Sequence, residues 1–114
     1  MNKPFRLSAD EMQELAPGYG GCFATDLIVV DGNLVGLMYR EPPVNDSDSG
    51  WRFFGGEETE EQVSDPEFIG FYDVNTIANY DPSIIPYLDN PAGFAFQRND
   101  EGEFEGVFDE ELNS

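Results

Sequence analysis

Apolar and polar positions alternate along this chain in short blocks, each closed by Gly, Pro, Asn or Asp. Cys22 to Val30 is dense in apolar and β-branched residues, and Leu34 to Tyr39 is a second apolar run. Asp31-Gly32-Asn33 between them predicts a tight-turned hairpin, because such turns need residues tolerant of positive φ. Pro42 and Pro43 end its second strand, and Asn45 to Gly50 reads as a polar loop. Trp51 to Phe54 predicts a short aromatic strand closed by Gly55-Gly56, and Phe68 to Val74 another strand. Gly93 to Arg98 and Phe104 to Phe108 predict a last hairpin around Asn99 to Gly102.

Helical spacing is confined to short pieces. Residues 8–15 predict a helix, with Ser8 as cap, Glu11 at capping-box distance, and Met12 and Leu15 on one face. Glu57 to Val63 predicts a helical turn and Asn75 to Asn79 a brief helix. Asp81 caps a further one, with Pro82 in the first position, where its missing N–H is harmless. Ile84, Ile85 and Leu88 then face inward, and Pro86 keeps this helix short or distorted. The sum is an α+β fold: a mainly antiparallel sheet of about five or six strands with short helices packed on one face. With no linker and no repeat, residues 1–114 read as a single domain, ordered over about 22–108, with 1–7 and 109–114 frayed.

Charge changes the picture most. The 114 residues carry 24 Asp and Glu against 5 Lys and Arg, a formal net charge of -19. A surface of roughly 6,000 Å² then places two or three net negative charges on every interface-sized patch, even when they are spread evenly. Nucleic acid and anionic membranes are repelled and basic proteins attracted. Acidity also serves solubility alone, so the charge by itself names no partner.

Candidate chemistry is sparse. There is no histidine, which excludes His-containing triads and zinc sites and the usual neutral-pH proton carrier. Cys22 is the lone cysteine and reads as a small core residue, so no disulfide forms and a cytoplasmic setting follows. No apolar run is long enough for a membrane span, and no apolar stretch follows Lys3 as a leader requires. No Gly-Lys-Ser/Thr phosphate loop occurs. A calcium loop begun at Asp46 puts Asp48 and Glu57 at the third and twelfth positions but Trp51 where glycine belongs, so an EF-hand is rejected. The expectation is a non-catalytic protein with no cofactor and no metal.

Recognition is the remaining chemistry. Asp46, Asp48, Glu57, Glu58, Glu60 and Glu61 would steer a basic protein partner. Trp51 is either the largest core residue or an anchor for that partner. Arg40 and Arg52, with Tyr39, form a structural motif in which a bidentate pair to Asp48 or Glu57 fixes the acidic loop. The alternative is a housekeeping domain that binds a small ligand or, weakly, a cation through that loop.

Several segments resemble a known family. They are Tyr39-Arg40-Glu41, Asp48-Ser49-Gly50-Trp51-Arg52-Phe53, Gly56-Glu57-Glu58, Tyr72-Asp73-Val74-Asn75-Thr76-Ile77, Asn79-Tyr80-Asp81-Pro82-Ser83-Ile84 and Gly93-Phe94-Ala95-Phe96. Over about residues 22–98 the chain is similar to a bacterial family of small acidic domains grouped with the immunity proteins of polymorphic toxin systems, an immunity-protein-thirty-three-like group. The resemblance implies a cytoplasmic antidote that binds and blocks a toxin domain, a nuclease being the best fit to the acidity, and it transfers no catalytic residue.

Overall fold

The computed structural model describes residues 5–107. Its strands are β1 (Gly21–Thr25), β2 (Leu37–Arg40), β3 (Asp48–Phe54), β4 (Ile69–Asp73), β5 (Ala95–Arg98) and β6 (Phe104–Val107). Its helices are α1 (Asp26–Val29), α2 (Glu60–Val63) and α3 (Val74–Tyr80), with 3-10 turns over Ala9–Glu11 and Pro82–Tyr87. The described strands form one mixed sheet in the order β4-β1-β3-β2-β5-β6. It is antiparallel throughout except between β1 and β3. This is the expected α+β class.

The first hairpin does not form. Asp26 to Val29 is helical, and Gly32, at φ 77°, closes that helix instead of turning a hairpin. The carbonyls of Leu27 and Ile28 accept from Asn33 and Gly32, the pattern of a helix end capped by a left-handed glycine. Asp-Gly serves either purpose, so the dipeptide alone does not decide. What decides is β3, which inserts between β1 and β2 and carries Trp51 and Phe53 into the core.

The helix expected over 8–15 also stops short, as the single 3-10 turn Ala9–Glu11. Glu11 Oε1 does accept from the Ser8 N–H at 2.9 Å. Beyond it, asparagines of α3 capture the backbone. Asn79 Oδ1 accepts from Gln13 N–H, and Asn75 Oδ1 from Leu15 and Ala16, at 2.7 to 2.9 Å. Those bonds replace the ones a longer helix would have made. Of the ends expected to fray, residues 1–4 and 108–114 lie outside the described residues. Arg6 N–H donates to Val29 O at 2.8 Å, and Leu7 N–H to the Tyr80 hydroxyl at 3.0 Å.

One sheet face is covered. Cys22, Ala24, Met38, Trp51, Phe53 and Phe96 pack there against Ile28 and Val29 of α1, Val74, Ile77 and Ala78 of α3, and Ile84 and Leu88 after Asp81. Asp81 accepts from Ser83 N–H as the expected cap. The opposite face is only bordered by a helix, α2, whose Val63 stands beside Leu37, Tyr39 and Phe54. Strand register lines up Phe71, Phe23, Arg52, Tyr39, Ala95 and Val107 across it, one per strand.

Candidate functional site

Asp48 and Arg52 stand four residues apart on one strand, which in regular β structure means about 13 Å. Here their side chains meet. Gly21 pairs with Asp48 and Phe23 with Arg52, so two steps on β1 oppose four on β3. The slack is taken up by a bulge at Gly50, whose φ is 93°. A Cβ there would lie 2.1 Å from the Glu41 carbonyl oxygen, so the position admits only glycine.

The bulge satisfies its own polar groups. Asp48 Oδ1 accepts from Gly50 N–H and Arg52 Nη1, each at 2.9 Å. Asp48 Oδ2 accepts from Val44 N–H and Arg52 Nη2, each at 2.8 Å. Ser49 Oγ donates to Gly21 O at 2.6 Å and accepts from Trp51 N–H at 3.1 Å. Arg52 Nε donates to Glu41 Oε2 at 2.9 Å, and its guanidinium lies 4.7 Å from the Phe23 ring centroid. The bidentate guanidinium, with help from the Val44 and Gly50 N–H groups, holds the Asp48 carboxyl far below the usual range. The same pairing raises Arg52. Arg40 is committed too. It donates to Ser49 O at 2.9 Å and Asn90 O at 2.8 Å, and lies over the Trp51 ring at 5.7 Å.

Two residues expected at a partner surface are therefore interior. Trp51 has 0% exposure, stacks with Phe53 and donates its indole N–H to Leu88 O at 3.2 Å. It is a core residue, correcting its reading as an anchor. The Asp48 side chain is likewise 0% exposed, and its oxygens accept from Arg52, Gly50 and Val44, so it presents no surface carboxylate.

The remaining acids do not form one cluster. Asp46 is exposed before β3, while Glu57, Glu60 and Glu61 are exposed beyond it. The bulged strand β3 lies between them. Glu58 accepts from Thr25 Oγ1 at 2.5 Å, Gly55 N–H at 2.6 Å and Gly56 N–H at 2.9 Å, so it staples the chain leading into α2. A capping box between Thr59 and Gln62 then starts α2. Among the described residues, no group of three or more Asp, Glu, Cys or His is placed to hold a metal ion.

What the fold assembles is a groove. Leu37, Tyr39 and Phe54 line it together with Glu41, Val63 and Phe94, around a volume of about 640 Å³. Tyr39 and Phe54 stack at 5.8 Å with 9° between their planes. Burial, then the neighbouring Glu41, pushes the Tyr39 phenol upward. Val63 and Phe94 are 45% and 47% exposed. Aromatic rings beside a carboxylate suit a ligand group that is apolar or cationic. Cys22 is fully buried in the core, where desolvation raises its thiol.

Sequence reading missed Leu37, Phe54, Val63 and Phe94. Two signals were present. Leu37 and Tyr39 alternate with Met38 and Arg40, and Phe54 adds an aromatic on the face opposite Trp51 and Phe53. A half-covered strand would put polar residues there.

Among the described residues, no helix is long and apolar enough to cross a membrane. The family model described as "Immunity protein Imm33 domain" matches residues 22–108, ten residues beyond the resemblance noted from sequence. No curated protein and no solved structure matches.

Proposed function

The chain belongs to the family of immunity protein Imm33 domains, and on that premise we propose that it binds one bacterial toxin domain and neutralises it without catalysis. The family match over most of the chain is the observation that carries this reading. The protein works by occupancy, in the cytoplasm of the cell it protects. A formal net charge of -19 suits a basic toxin, and a nuclease above others. Nuclease surfaces are built to hold phosphates, which carboxylates imitate.

Co-expression with a toxin domain, taken from the neighbourhood of its gene where one is encoded there, tests the reading. Restored growth, together with a stoichiometric complex of the purified proteins, is the expected result. Undiminished killing with no complex contradicts it. The electrostatic part has a separate readout, since the association rate falls as salt rises if carboxylates steer the encounter.

A further inference from the structure

Resting on the antidote reading, we propose that the toxin seats on the groove over β2 and β3, and that the segment entering it sets a Lys or Arg beside an apolar side chain. The apolar half of the match is the groove's own lining. Tyr39 and Phe54 stack on its floor, and Val63 of α2 and Phe94 before β5 stand about half exposed beside it. Exposed apolar surface rimmed by charge marks an interaction site.

The basic half follows from Glu41. Its Oε2 is held by Arg52 at 2.9 Å, while 45% of its side chain stays accessible in the groove lining. Its Oε1 has no hydrogen-bond partner among the described residues. Asp48 already balances the Arg52 charge, so the Glu41–Arg52–Asp48 set keeps one net negative charge, fixed in position and offered outward. A pre-positioned carboxylate loses little freedom on meeting a cation. Across the groove, the first turn of α2 adds exposed Glu60 and Glu61. Arg40 also borders it, but its guanidinium is spent on backbone carbonyls.

The area fits a protein partner. Strand register continues the same face from Tyr39 past the buried Arg52 to Phe23 and the 45%-exposed Phe71. That row crosses four strands, about 14 Å, and with the groove beside it offers room for a protein segment. Carboxylates on both rims exclude a phosphate backbone.

The full chain is followed by NMR while the tripeptides Lys-Trp-Lys and Glu-Trp-Glu are added separately. Lys-Trp-Lys is expected to shift the amides of Leu37, Tyr39, Val63 and Phe94, and Glu-Trp-Glu to leave them in place. In parallel, the Val63→Ala/Phe94→Ala double variant, with its melting transition retained, should bind the toxin about tenfold or more weakly. Asp46→Asn, at the far end of β3, should stay within about twofold of wild type. Groove amides that ignore Lys-Trp-Lys, or a double variant that binds as wild type does, overturn the proposal. A wild-type chain that takes Lys-Trp-Lys in the groove yet protects no cell overturns the antidote reading and leaves the groove standing.

Discussion

The bulge around Gly50 and the groove beside Phe54 share one strand, and they treat their polar groups in opposite ways. In the bulge, Asp48, Ser49 and Arg52 are 5 to 6% exposed and bond to one another or to nearby backbone. In the groove, Glu41 keeps nearly half its side chain in the open, and Val63 and Phe94 lie bare beside it. The first region is closed and specifies geometry; the second leaves charged and apolar groups open to solvent. Asp-Ser-Gly-Trp-Arg is thus a folding device. It bends β3 so that Trp51 enters the core while Arg52 turns to the other face and holds Glu41.

Substitutions should separate the two regions, and the largest effect belongs to the bulge. Gly50→Val places a branched side chain at φ 93° against the Glu41 carbonyl. It should cost more than about 4 kcal/mol in urea unfolding. A Gly50→Val chain that unfolds like wild type would mean that the bulge does not set the strand. Arg52→Met strands the buried Asp48 carboxylate and should cost about 3–5 kcal/mol by the same measurement.

Acid supplies a gentler probe of the same pair. The folded-state value of Asp48 lies below the unfolded one, so its stabilisation is complete above the unfolded value of about 3.9 and is lost as pH falls through and below it. Asp48→Asn should therefore be less stable than wild type at neutral pH, with the gap narrowing below about pH 4. A gap independent of pH would contradict the charge pairing.

The groove should answer the other way round. Val63→Ala alters stability by no more than about 0.5 kcal/mol, since α2 buries nothing, yet it weakens the toxin complex. Smallest of all, Glu60→Gln/Glu61→Gln should slow association a few-fold at low salt and not at high salt. Stopped-flow mixing at two ionic strengths reads this.

Much of this fold was legible as sequence. Asp81-Pro82 announced its cap, Glu57 to Val63 its helical turn, and Gly93 to Val107 its closing strand pair, because each depends on residues close together in the chain. The failures were non-local. Asp31-Gly32 looked like a hairpin because nothing nearby tells that β3 inserts between β1 and β2. Residues 12–15 looked helical because Asn75 and Asn79, which hold that backbone, lie some sixty positions later. The site was harder still. Trp51 and the acids drew attention by type, but burial decides their role, and burial follows from strand order. Leu37, Phe54, Val63 and Phe94 are ordinary residues that become a surface only when β2, β3, α2 and the turn before β5 converge.

Cross-saturation from the bound toxin to the methyl groups of this chain tests most directly that the partner meets the groove and not the acidic loop ahead of the bulge. The account predicts strong attenuation at Leu37 and Val63 and none at Val44, which is 65% exposed beside Asp46. Attenuation at Val44 with Leu37 and Val63 untouched would contradict it.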